Sequence, residues 1–389
     1  MNSKERISAI LRRKEVDRIA VDLWHTPETE RKLREHFEVD NDLHLYKAMG
    51  LDKIVWAFVD YKTVSGEIEG TQAGAGAEGA RTMWGVPLKT VQAGCESYHE
   101  FVEPPMAPYD HPDKIEDYPF WPDPSRFDYD SAVERARQAS EEFAVIGPWV
   151  SLFEIYCQLR GLEQAMMDLA LHPNLVEAIL DRVEQIQTEM MREFLNRASQ
   201  YLDMVFISDD VGCQRGLLFS PDVWRRHLMS RMSRWCNLIH SCGLTVFYHT
   251  DGAVEPLIQP LIDCGIDVLN PIQHICDGMD PAELKSKYGD RIIFHGGVDN
   301  QNVLPFGNPD DVRREVQHLM NTLGANREGF ICCSCHNVQG NTPVENILAM
   351  VETVKQYGNL PQIAIGEISS KGRAIRHSYD QRPVEDVGS

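Results

Sequence analysis

The residues with the most chemical reach fall in two stretches, "FYHTDG" (Phe247 to Gly252) and "FICCSCHNVQGNTPVEN" (Phe330 to Asn346). His249 and Asp251 stand at i and i+2. On an extended chain such residues share a face, so an imidazole and a carboxylate can converge on one cation. The competing reading is a hydrogen-bonded His–Asp pair that fixes a loop. In the second stretch, strand alternation puts Cys333 and Cys335 on one face and Cys332 on the other, with His336 following. Cys335 is a candidate ligand or reactive thiol; a buried structural cysteine is the default for such a residue. The spacing leaves open whether the two stretches build one metal site.

Other candidates lie at the ends of apolar runs. Asp209 and Asp210 are adjacent acids suited to general-base or substrate-orienting work, since neighbouring carboxyls push at least one pKa upward. Capping a loop is the alternative. Asp299 follows "HGGV", whose glycines let backbone approach a ligand, and is the stronger catalytic candidate there; His295 reads as a space-filling residue. Asn270, Gln273, Gln301 and Gln339 could make neutral contacts to a substrate, and Trp149 could offer a ring platform.

Something must carry these residues to one place. From about residue 140 the chain alternates apolar runs with amphipathic segments: 143–150, 201–210, 244–252, 266–273, 291–299 and 329–335. Such short, doubly buried runs predict parallel strands. Between them, Leu175, Val176, Ile179, Leu180, Val183 and Ile186 keep a helical period. "SPDVW" opens a helix with Ser220 as N-cap and Pro221 at its first position, closing at Cys242–Gly243. "TPVEN" reads as a capping box of Thr342 with Glu345.

Six β-then-α units favour a parallel sheet, open or closed, and no Gly-x-Gly-x-x-Gly supports the dinucleotide-binding version. Polar residues recur at the carboxyl ends of the runs, the pattern of a (β/α)8 TIM barrel with its chemistry at one mouth. The opening "KERISAILRRKEVDRIAVDLW" reads as a helix and an entry strand. Residues from about 55 to 125 read as insertions in a single domain, 1–365, followed by a surface-bound or mobile tail, 366–389.

Composition narrows the function classes. The formal charge of −21 over 389 residues, with no basic tract, argues against nucleic acid as a partner. No apolar run reaches the ~18 residues of a membrane span, and the ten cysteines are mostly scattered in apolar contexts, so a reducing cytoplasm is the expected location.

"HPNLVEAILDRV", "HTDGAVEPLIQPLIDCGIDVLNPIQ", "IIFHGGVDNQNVLP" and "SCHNVQGNTPVENILAMVETV" resemble the uroporphyrinogen decarboxylase superfamily, over roughly residues 5–358. Within it the chain is more similar to the cobalamin-dependent methyltransferase branch. The resemblance implies a TIM barrel. True decarboxylases carry an Arg-Gln-Ala-Gly-Arg motif that holds the carboxylates of the tetrapyrrole, and here "VDLWHTPETERKL" stands in its place. The methyltransferase branch binds zinc through His-x-Cys and a later Cys. His249 matches the first position, Asp251 replaces the Cys, and His336 falls at the later Cys position with Cys335 before it. The implied metal set is His249, Asp251 and His336, with Cys335 or Cys333 as substitutes. Zinc is the expected metal, and the harder ligands also suit Fe(II) or Mn(II).

The implied function is a metal-assisted methyl transfer between a small-molecule donor or acceptor and a corrinoid. The chain has no Asp-x-His-x-x-Gly motif, so the corrinoid would arrive on a partner protein; a homodimer is compatible with the reading. The alternatives are a decarboxylase or lyase acting on a small carboxylate, and a non-catalytic corrinoid- or tetrapyrrole-binding module.

Overall fold

The computed structural model describes residues 1–62, 68–70, 81–93 and 96–357; the expected tail at 366–389 lies outside the described residues. Eight strands make the central sheet: β1 Ala20–Val21, β2 Ile54–Trp56, β3 Ala144–Val150, β4 Met204–Ser208, β5 Thr245–His249, β6 Val268–Asn270, β7 Ile293–Val298 and β8 Phe330–Ser334. Each pairs in parallel with the next from β2 to β8, and β8 pairs in parallel with β1. The seam between β1 and β2 is joined by the Asp52 N–H donating to the Val21 carbonyl at 2.7 Å. The result is a (β/α)8 barrel, and each of the six apolar runs read from the sequence contains one strand.

The runs form strands because both faces are covered. Every residue of β4, β6, β7 and β8 is buried, which suits the apolar, β-branched and aromatic side chains they carry. The barrel interior is filled by Trp24, Ile146, Met204, Phe206, Phe247 and Cys333 among others. Ile7 and Ile10 of the first helix, Ser3–Leu11, join that cluster beside the strand-opening residues Ala20, Ala144 and Ile293. This helix therefore plugs the end of the barrel opposite the strands' carboxyl ends.

Outside, the helix Pro173–Ala198 buries the expected stripe against the sheet. Ser220 caps the Val223 N–H as read, and the helix then passes through one π turn, Arg225–Met229, before continuing over Ser230–Ser241. The last helix begins at Val344, so Thr342 lies one residue too early to be its N-cap.

Between β2 and β3 the chain builds a small antiparallel sheet of Asp60–Lys62, Ile68–Gly70 and Phe127–Asp128, and a hairpin of Leu88–Ala93 with Glu96–Phe101. The segment after the hairpin meets the helix Phe153–Arg160, which follows β3. Gly161 ends that helix at φ +78°, and a Cβ there would stand 2.9 Å from Pro104 Cγ, so the contact requires glycine.

Candidate metal centre at the barrel mouth

His249 is the last residue of β5, Asp251 follows two residues on, and His336 stands two residues past the end of β8. The barrel brings them together: one donor atom from each lies within 4.8 Å of the other two. His249 Nε2 is 3.9 Å from Asp251 Oδ1, and the two imidazole rings stand 5.7 Å apart at 64°. Asp251 is held from both sides. Its N–H donates to Asp210 Oδ1 at 2.8 Å, Gln273 Nε2 donates to its Oδ1 at 3.2 Å, and Gln273 Oε1 accepts the Gly252 N–H at 2.7 Å.

The electrostatics suit a cation. Burial works against a charged His249, yet the carboxylates of Asp251 and Asp210 outweigh it and hold its pKa above the ordinary value. Burial pushes Asp251 up despite His249, and burial together with the charge of His249 pushes His336 down. Ligands bonded tetrahedrally at about 2.1 Å would sit roughly 3.4 Å apart, so the trio needs only side-chain adjustment to close on an ion. The donor set fits a divalent metal.

A buried chain of hydrogen bonds decides which nitrogen of His249 is free. His249 Nδ1 lies 2.6 Å from Asn270 Oδ1, Asn270 Nδ2 lies 2.8 Å from His295 Nδ1, and His295 Nε2 lies 3.2 Å from Asp22 Oδ2. Lys53 Nζ donates to the other oxygen of Asp22 at 2.9 Å. Burial opposes the Asp22 charge, but Lys53 and His295 more than offset it and hold its carboxyl well below the usual range. Burial keeps His295 neutral by pulling its pKa down.

An ionised Asp22 only accepts, so the one proton of His295 must be on Nε2. Its Nδ1 then accepts from the Asn270 NH2 group, which turns the Asn270 oxygen toward His249. In the neutral form that binds a metal, His249 must therefore carry its proton on Nδ1. The lone pair on Nε2 faces Asp251 and Asp210, as a metal ligand requires. Gly296 allows β7 to run this close: at φ +100° it has no Cβ, and one there would stand 3.4 Å from Asn270 Nδ2.

The remaining sequence candidates divide. Asp210, with its side chain about half exposed, stands 3.8 Å from His249 Nε2. Gln273 and Asn270 support the trio as described. Asp209 instead caps the helix Phe153–Arg160: its Oδ1 accepts from the Ser151 hydroxyl and from the N–H groups of Leu152, Phe153 and Glu154, at 2.6–3.1 Å. Leu152, in the N-cap position, has no side chain able to cap, so the acid just past the end of β4 does this work. Burial raises Asp209 to about 7 even so.

Asp299 closes its own loop, accepting from the N–H groups of Gln301 and Asn302 and from the Asn302 side chain. Between Asp299 and His295, the structure gives the connection to the metal candidates to His295. Cys335 is buried, donates toward the Ile272 carbonyl at 3.5 Å and has its thiol pushed far up by burial; it stands apart from the trio. Cys333 fills the barrel interior. Gln301 and Gln339 are exposed, with Gln339 donating to the Asn337 carbonyl. Trp149 is half-buried against the interior cluster.

Sequence reading passed over Asp22, Lys53 and Glu154. Glu154, in the first turn of the helix that Asp209 caps, accepts from the Ser208 hydroxyl at the end of β4. Burial, with the charge of Asp210 beside it, raises Glu154 to about 8. Glu154 and Asp210 both line a cavity of about 440 Å³ beside the trio.

Ligand-type side chains on the carboxyl ends of parallel strands are the arrangement of (β/α)8 barrel enzymes. The sequence pattern of uroporphyrinogen decarboxylase (URO-D) matches residues 85–357, and the chain belongs to that family. It is 27% identical over 103 residues to uroporphyrinogen decarboxylase from Dechloromonas aromatica (strain RCB), a match covering 26% of this chain and spanning only 27% of that curated relative. Its fold is similar to that of a methyltransferase from Methanosarcina mazei, with a TM-score of 0.66 and 17% identity, covering 92% of this chain and 99% of the other. Among the described residues no helix is long and apolar enough to cross a membrane.

Proposed function

We propose that the chain is a metal-assisted methyltransferase that moves a methyl group between a small molecule and a corrinoid carried by a partner protein. The observation that carries this reading is the His249, Asp251 and His336 trio, with the free Nε2 of His249 turned into it, in a fold similar to that of a methyltransferase. His249, Asp251 and His336 would hold the metal, zinc first among the candidates. A divalent cation there supplies Lewis-acid stabilisation of the negative charge that develops on the heteroatom losing its methyl group.

The protein's own groups do the rest. Asp210 fixes the Asp251 backbone and borders the cavity, where it can orient the methyl-bearing group. Asp209 positions Glu154 by capping its helix, and Glu154, protonated at neutral pH, can donate a hydrogen bond or proton to the departing heteroatom. The alternative of a decarboxylase or lyase on a small carboxylate has less support: a carboxylate substrate calls for a cationic clamp, and no lysine or arginine among the described residues lines the cavity.

The test uses methylcobalamin with a panel of small thiols and phenols. Metal-loaded wild type should convert methyl-Co(III) to Co(I), seen in the visible spectrum, and His249→Ala should not. Asp210→Asn should slow conversion more than it weakens binding. Formation of coproporphyrin from uroporphyrinogen at enzyme-like rates would contradict the reading.

A further inference from the structure

The cavity beside the trio has a lining that restricts what can enter it. Its walls are Phe101, Val102, Pro104, Phe153, Leu162 and Leu218, contributed by the end of the hairpin and the segment after it, the helix Phe153–Arg160 and its sequel, and the loop after β4. Phe101 and Leu162 are 44% and 54% exposed, so apolar surface is left uncovered at the rim. Uncovered apolar surface around a concave site is a mark of ligand binding. At about 440 Å³ the space is that of a small molecule, far from the several hundred atoms of a docking protein segment.

The ionisable oxygen groups in this lining are all carboxyls. Glu154 and Asp210 supply two carboxyls, Gln158 is neutral, and no lysine or arginine among the described residues lines the cavity. Asp251, whose N–H is bonded to Asp210, adds a third acid nearby. An anion entering this low-dielectric space would lose its hydration, find no lysine or arginine among the described lining residues and meet the Asp210 carboxylate. Apolar bodies gain by the same desolvation.

We infer that the cavity binds an apolar-bodied small molecule whose group facing Asp210 and Glu154 is uncharged or cationic, and that it rejects carboxylates of the same size. The inference rests on the methyltransferase reading only for calling this molecule the methyl donor or acceptor; binding itself requires neither metal nor corrinoid.

Three probes of nearly equal bulk test it on the metal-free full chain by calorimetry: benzyl methyl ether, benzyltrimethylammonium and phenylacetate. The ether and the ammonium should each bind at least tenfold more tightly than phenylacetate. Leu162→Arg, at an exposed rim position that tolerates substitution, should strengthen phenylacetate and weaken the ammonium. Asp210→Asn, which can still accept the Asp251 N–H, should narrow the gap between them. The inference is overturned if phenylacetate binds wild type as tightly as the other two, if none of the three binds at millimolar concentration, or if neither variant narrows the gap between phenylacetate and the ammonium. Because no methyl is transferred here, this result stands or falls separately from the methylcobalamin assay.

Discussion

Two clusters of ligand-type side chains share one barrel, and they end in opposite states. Asp22, His295 and Cys333 lie fully buried with donor atoms within 4.8 Å of one another; the donor atoms of His249, Asp251 and His336 are as close at the mouth, where Asp251 and His336 are partly exposed. The first cluster contains its own cation: Lys53 Nζ sits 2.9 Å from Asp22, and His295 donates to the same carboxylate. An incoming metal would have to displace an ammonium already neutralising the charge. The second cluster has two carboxylates near its histidines and, among the described residues, no lysine or arginine paired to it. Ligand type alone therefore does not define a metal site; the absence of an internal counter-charge does. Asn270 links the two, so the satisfied cluster sets the protonation of the unsatisfied one.

Removing the internal cation should produce the largest effect. Lys53→Met leaves Asp22 buried and unpaired, and should cost about 3–5 kcal/mol of stability in urea unfolding. The double variant Lys53→Met, Asp22→Asn should recover much of that loss. The sign with pH follows from Asp22: its folded pKa lies below the unfolded ~3.9, so its stabilisation is present above that value and disappears as pH falls below it. The acid limb of wild type should therefore be steeper than that of the double variant. A loss below about 1 kcal/mol for Lys53→Met would mean the cluster is not held by this pair.

Cutting the link should be milder. Asn270→Leu keeps the bulk but frees His249 to choose its tautomer, and should weaken metal binding about 10–100-fold. Nitrogen NMR of the metal-free protein, at a pH high enough for His249 to be neutral, separates this from general damage: wild type should show the His249 proton on Nδ1, and the variant a mixture. An unchanged tautomer would remove the link from the account.

The strands and the His249–Asp251 spacing were legible in the sequence because they depend on local pattern, period two and an i, i+2 pair. His336 needed the family resemblance to join them, since 85 residues separate it from Asp251. Asp22 and Lys53 were not legible because their meaning lies in distant partners: Asp22 meets Lys53 31 positions on and His295 273 positions on. Asp209 and Asp299 carry the residue type of a catalytic acid, but backbone N–H groups claim their carboxylates, those of its own loop for Asp299 and those of a helix start 56 positions away for Asp209. Nothing in the sequence marks Glu154 among the chain's other acids, and burial close to Asp210 sets it apart.

Metal analysis after reconstitution tests the central claim most directly. Wild type should hold about one divalent ion per chain, His249→Ala none, and Asp251→Cys one ion with a shift toward zinc, because a soft ligand is restored beside two imidazoles. Equal metal in wild type and His249→Ala, or none in either, would contradict the claim that the ends of β5 and β8 form one metal centre.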